Sequence, residues 1–221
     1  ISNTAEVKVT AVYSTDDSAY GIYTYDNLLI SDSAKINVAD VTADSDSKIP
    51  SRVSAYGILT SSGNLTISDS AEVTVTEVTG LSASGIGTGW DIEISGGTVT
   101  VDVQATAADC PVQGIIPYYD AVISGGAVTV NAISLNGPAY GLSSYMDDIF
   151  ISGSFAVVID GEHGIFVDPG EENIHLNFFG EAVECRRNFL HERRMFPGTF
   201  AQPDKSRCRS DAVVINFFHE L

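Results

Sequence analysis

Residues 94–101 read Ile94-Ser95-Gly96-Gly97-Thr98-Val99-Thr100-Val101, and close copies of this block recur along the chain. The form is Ile-Ser-(Gly/Asp)-(Gly/Ser) followed by an alternating apolar run. The copies begin at Ile1, Ile30, Ile67, Ile94, Ile123 and Ile151, at spacings of 29, 37, 27, 29 and 28 residues. Self-similarity at this period marks a solenoid, in which a repeat buries its apolar face only by stacking on its neighbours.

Around the quoted block, Trp90-Asp91-Ile92-Glu93-Ile94 alternates, with Ile92 and Ile94 on one face and Asp91 and Glu93 on the other. Gly96-Gly97 turns the chain, and Val99 and Val101 resume the inward face. Period-two alternation of β-branched residues predicts half-buried strands. A third element is centred on Gly followed by Ile or Leu: Gly21-Ile22, Gly57-Ile58, Gly85-Ile86, Gly114-Ile115, Gly141-Leu142 and Gly164-Ile165. Glycine is expected there where a Cβ would clash or where φ must be positive.

The expected fold is therefore all-β: a right-handed parallel β-helix with three short strands per coil and about six coils over residues 1–180. The right-handed form is preferred because the strict six-residue period of left-handed helices is missing. The long spacing is assigned to a loop inserted at roughly Asp44 to Arg52, which carries Pro50. Residues 181–221 lose the repeat and form an irregular C-terminal segment. It is either a cap, which solenoids need, or an aberrant tail, as a shifted reading frame would produce. Within it Arg186 to Met195 reads as a short helix and Asp211 to Phe218 as a strand.

In a parallel coil, equivalent residues lie about 4.8 Å apart, so columns carry the chemistry. Two inward columns are expected: Val7, Ile36, Val73, Val99, Val128, Val157, and Val9, Val38, Val75, Val101, Val130, Ile159. Outward, Glu6, Lys35 and Glu72 alternate in charge, a surface pairing of small worth. Asn37, Thr74, Thr100 and Thr129 make a polar column. Three residues before each repeat start stand Asn27, Asn64, Asp91, Asp120 and Asp148.

This last column has two readings. Asn and Asp suit tight corners and bond to nearby backbone amides. Alternatively, the stacked carboxylates of Asp91, Asp120 and Asp148 repel unless a cation intervenes, and calcium accepts such oxygens, with Asp147 and Glu93 as further ligands. The same corner holds Tyr25, Trp90, Tyr118, Tyr119 and Tyr145. Rings beside acids can receive a sugar, the CH faces stacking on the rings and the hydroxyls bonding to the carboxylates; equally, rings can shield a corner. Tyr20, Tyr56 and Tyr140 are expected to form a structural ladder.

The net charge of −18 is uneven: residues 1–184 carry −21 and residues 185–221 carry +3. So acidic a body argues against nucleic acid as a partner. No segment is long and apolar enough to span a membrane as a helix. The chain opens inside the repeat pattern with no initiator Met or export signal, so we expect a piece of a longer protein. Cys110, Cys185 and Cys208 define no disulfide framework, although Cys185 and Cys208 can be paired within the tail. Cys185, His191, Cys208 and His219 lack zinc-finger spacing.

Blocks such as Gly63-Asn64-Leu65-Thr66-Ile67-Ser68 and Ile94 to Val101, with the recurrent Gly-Ile, resemble those of bacterial carbohydrate-binding-domain-containing surface proteins. Their fold is similar to the pectate-lyase-like right-handed β-helix. The resemblance covers residues 1 to about 180. It implies a secreted or wall-attached Gram-positive protein, extracellular or on the cell surface, that binds acidic plant polysaccharide with calcium; the expected partner is a polysaccharide or cell-wall glycan. Those proteins often carry Asp-Gly-Ile where this chain has Tyr20-Gly21-Ile22, so the acid of that column is lost and a calcium site does not transfer directly.

Function is thus expected to be that of a non-catalytic binding or adhesive module. Its ligand edge is Trp90, Tyr118, Tyr119 and Tyr145 with Asp91, Asp120 and Asp148, and the same three aspartates are the candidate calcium ligands. A structural stalk is one alternative. A polysaccharide lyase or hydrolase is the other, and is not expected. The body holds only Lys8, Lys35, Lys48 and Arg52 as cations, and lyase chemistry on uronates in this fold needs a base beside the metal. Hydrolysis needs paired carboxylates at a set separation. Asp147-Asp148 and His163-Gly164 resemble fragments of polygalacturonase motifs, whose remaining elements are missing.

Overall fold

The computed structural model describes residues 1–44, 53–105, 110–134, 137–153, 156–160, 163–167, 174–178, 183–186 and 213–215, with side chains to Ile151. In chain order the strands are β1 (Glu6–Thr15), β2 (Ala19–Thr24), β3 (Leu28–Ile30), β4 (Lys35–Asp44), β5 (Ser54–Thr60) and β6 (Leu65–Ile67). There follow β7 (Glu72–Gly80), β8 (Ser82–Thr88), β9 (Ile92–Ala105), β10 (Val112–Pro117), β11 (Ala121–Ile133) and β12 (Ala139–Ser144). The last are β13 (Ile149–Gly153), β14 (Ala156–Asp160), β15 (His163–Val167), β16 (Ile174–Phe178), β17 (Val183–Arg186) and β18 (Val213–Ile215).

These strands wind into a right-handed parallel β-helix of about five turns, the hand that parallel crossovers take. Two sheets form its walls. Sheet A has 12 strands and sheet B has six, ordered β15-β12-β10-β8-β5-β2. Both inward columns stand in register as expected: Val7 pairs with Ile36, Ile36 with Val73, Val73 with Val99, and Val99 with Val128. Ile30, Ile67, Ile94, Ile123 and Ile151 form a third. From the second rung as far as Ile151 these side chains are essentially sealed from solvent. Each fully buried Val or Ile contributes about 1.5–3 kcal/mol of transfer free energy.

The first two strands of a coil belong to one sheet, and their corner comes in two forms. In the early rungs Asn3, Asp32 and Asp69 turn the chain at φ near 60°. In the later ones Gly97 (φ 77°) and Gly126 (φ 84°) do so, and the two strands fuse into β9 and β11 with bulges at the glycines. A second left-handed column, Ala11, Asp40 and Glu77, kinks β1, β4 and β7 midway. β9 omits one residue there: Val75 and Val78 pair with Val101 and Val103.

The Gly-Ile column answers to space. A Cβ on Gly57 would run into Val75 Cγ1 of sheet A and stand 2.6 Å from the Gly85 carbonyl oxygen. Gly21, Gly57, Gly85 and Gly114 each let a valine one rung further along cross the lumen. Tyr20 and Tyr56 stack at 5.4 Å with rings 5° apart, but Tyr140 does not join them. Ser84 and Gln113 occupy the intervening rungs, so the three-tyrosine ladder is corrected to a pair.

Sheet A continues into the segment that lost the repeat. β17 pairs parallel with β14, and β18 runs antiparallel to β17. The inserted loop, apart from Asp44, and the short tail helix, apart from Arg186, lie outside the described residues. So do the side chains of Cys185 and Cys208. Cys110 is a free thiol.

Candidate functional site: an acidic and aromatic edge

The Asn/Asp column stands aligned on one edge, and its hydrogen bonds are explicit. From Asn27 to Asp120, each side chain accepts the backbone N–H of its counterpart on the next rung. Asn64 N–H donates to Asn27 Oδ1 (2.8 Å), Asp91 N–H to Asn64 Oδ1 (3.1 Å), Asp120 N–H to Asp91 Oδ1 (3.2 Å) and Asp148 N–H to Asp120 Oδ1 (3.0 Å). The carbonyls run the other way: Leu65 N–H donates to Asp91 O (3.0 Å), Ile92 N–H to Asp120 O (2.9 Å) and Ala121 N–H to Asp148 O (3.0 Å). These corners are therefore fastened to their neighbours through both groups, and the amides of the buried Leu65, Ile92 and Ala121 find partners.

Charge still accumulates along this ladder. Burial pushes the Asp120 carboxyl above the ordinary aspartate value, and the nearby Asp91, Asp147 and Asp148 charges push the same way. The amide of Asp148 opposes them. Beside the ladder lies a cleft of ≈ 150 Å³, lined by Asn64, Thr66, Asp91, Glu93 and Asp120 over Ile92 and Val122. Thr66, Glu93 and Val122 are one outward column of sheet A, so the cleft follows the helix axis across three rungs.

The aromatics gather next to the acids without lining the cleft. Trp90, Tyr118, Tyr119 and Tyr145 are between 38% and 54% exposed. Tyr118 and Tyr145 stack at 5.4 Å (19°), and Tyr119 meets Tyr118 edge-on at 5.0 Å (83°). Trp90 is in no ring pair among the described residues. Its carbonyl accepts from Tyr118 N–H (3.1 Å), Tyr119 N–H (3.2 Å) and the Thr88 hydroxyl (2.9 Å). Tyr25 is exposed on an earlier rung of the same corner. The candidate edge thus separates into a polar cleft with Asp91 and Asp120, and a ring cluster with Trp90, Tyr118, Tyr119 and Tyr145. Asp148 is on the ladder but not in the cleft lining.

For a cation, one oxygen of Asp91 and one of Asp120 already accept an amide. No group of three or more His, Cys, Asp or Glu side chains placed to hold a metal ion occurs among the described residues.

Two features escaped the sequence reading. Asn3, Asp32 and Asp69 form a second ladder of opposite sense: Asn3 N–H donates to Asp32 Oδ2 (2.9 Å) and Asp32 N–H to Asp69 Oδ2 (3.2 Å). Ser68 and Asp32 hold the Asp69 carboxyl below its usual value. At the corner of Asn27, Asn64 and Asp91, the Thr24, Thr60 and Thr88 hydroxyls donate to the carbonyls of Asp26, Gly63 and Trp90. The visible signal was a Thr three or four residues before Asn27, Asn64 and Asp91.

No family model, curated protein or solved structure matches this chain.

Proposed function

We propose that this β-helix is a non-catalytic, surface-exposed module that holds a hydroxyl-rich polysaccharide or cell-wall glycan along the Trp90 edge. The observation that carries the reading is the row of half-exposed rings, Trp90, Tyr118, Tyr119 and Tyr145, beside a polar cleft that runs with the helix axis. Rings present apolar faces and edges to sugar CH groups; Asn64, Thr66, Glu93 and the second carboxylate oxygens of Asp91 and Asp120 are hydrogen-bond partners for hydroxyls. A polymer with its own repeat suits a surface repeating about every 4.8 Å.

The test is retention on insoluble neutral and acidic polysaccharides, with reducing ends and unsaturated product assayed in parallel. Retention without turnover is expected, and Trp90→Ala should weaken it by about tenfold, as loss of a binding tryptophan does. Unchanged retention removes the edge from consideration, and product formation replaces the reading with a lyase or hydrolase. Calcium belongs to the same proposal through Asp91, Asp120 and Asp148; calorimetry with calcium alone should show binding that Asp91→Asn weakens, and a flat titration eliminates it. The stalk reading is favoured by the Asn/Asp ladder, which has a structural role without any ligand. It stands if no polysaccharide is retained.

A further inference from the structure

The outer face of sheet B differs in chemistry from the long sheet-A strands β1, β4, β7 and β9. Its strands β2, β5, β8, β10 and β12 contain no Asp, Glu, Lys or Arg, in a chain of net charge −18 with 18% charged residues. On sheet A, β1, β4, β7 and β9 each carry at least two, and β11 carries none. An outward sheet face left to solvent is normally polar. Here one outward column runs Tyr23, Leu59, Gly87, Ile116 and its neighbour runs Tyr20, Tyr56, Ser84, Gln113.

The face is also level. Leu59 Cδ1 and Ile116 Cγ2 lie 3.2 and 3.8 Å from where a Gly87 Cβ would stand, so the two side chains close over the glycine. Tyr20 and Tyr56 each give one ring face to the other, and Tyr23 turns its edge to Tyr20 and donates its hydroxyl to Ser61 Oγ (2.9 Å). With a face given to each other, the Tyr20 and Tyr56 rings do not lie flat as a platform for sugar.

We infer that sheet B is a self-association surface, on which a second copy of this chain packs face to face. Absence of charge together with enrichment in tyrosine is the composition of protein interface cores, and two sheets pack readily through level apolar faces. Electrostatics select the same face. Two bodies of charge −18 repel through any acidic surface, and sheet B is where they approach with the fewest like charges opposed. Five strands about 4.8 Å apart, each of about six residues at about 3.3 Å, span roughly 24 by 20 Å. Two such faces bury on the order of 1,000 Å², the lower limit for a specific interface. The dimer is therefore weak, and salt strengthens it by screening the repulsion.

Sedimentation of the whole chain over a concentration series, in about 50 and about 500 mM sodium chloride, tests this. A monomer–dimer equilibrium that tightens with salt is expected. Tyr23→Glu and Ile116→Lys each oppose like charges across the pair and should weaken it on the order of tenfold or more. Circular dichroism checks that both variants fold; Tyr23 is half-exposed, so its replacement is the safer of the two. A chain monomeric under every condition, a dimer indifferent to both substitutions, or a monomer whose neutral-glycan binding is lost with Tyr23→Glu overturns the inference.

Discussion

Asp91 carries two roles that one substitution separates. As a ladder residue it needs only an oxygen acceptor, which Asn27 and Asn64 supply in the same column. As a charged residue it raises the pKa of Asp120. Asp91→Asn should therefore keep the fold and lower the Asp120 pKa, seen by carboxyl-carbon NMR. The drop is smaller than the whole shift, because burial is the larger cause. Asp91→Ala leaves the Asp120 amide without its acceptor and should cost about 1–3 kcal/mol in chemical denaturation. The pH dependence has a definite sign. Asp120 titrates above its unfolded value, so its contribution to stability is present below the unfolded pKa and is lost as pH rises through the folded one. Asp69 behaves oppositely: its contribution is present above the unfolded pKa and is lost as pH falls through the folded one. An Asp120 resonance titrating no higher than that of Asp69 would contradict at least one of the two directions.

At the scale of the element, strands and corners are specified by different forces. The strands follow alternation, and Val or Ile at inward positions makes almost any such run stack. The corners depend on single residues in left-handed backbone. Asp32 and Asp69 tolerate it while their side chains accept a neighbouring amide; Gly97 and Gly126 adopt it without steric cost. The Gly-Ile strands obey a third constraint, lumen width. Gly57→Ala must displace Val75 or the Gly85 backbone. It should destabilise by about 1–3 kcal/mol, typical of overpacking, as a lowered denaturant midpoint. An unchanged midpoint would mean that the two walls can separate freely at that rung.

At the scale of the molecule, a thin, acidic body is held by ladders while its own charge opposes compaction. Among the described residues Lys35–Glu72 (2.8 Å) is the salt bridge present, and both side chains are solvated, so it relieves little. Salt should therefore stabilise the fold, raising Tm by about a few degrees between low and roughly 0.5 M ionic strength. Scanning calorimetry at low protein concentration isolates this from self-association, and a Tm that falls with salt would show that specific ion pairs outweigh the net charge.

The repeat period, the inward columns and the position of the Asn/Asp column were legible in the sequence, because a parallel coil converts a fixed spacing into lateral contact. The meaning of the column was not. Only three-dimensional register shows which amide meets which carboxylate oxygen, and in which direction each ladder runs. The stagger that sets Gly57 against Val75, the gap of Ser84 and Gln113 that divides Tyr140 from Tyr20 and Tyr56, and the charge-free plane of sheet B are likewise properties of tertiary structure. Alternation is a local consequence of strand geometry, so the sequence by itself determines it. Crossing a lumen, or assembling one face from five separated segments, depends on where the coil places residues that are far apart along the chain.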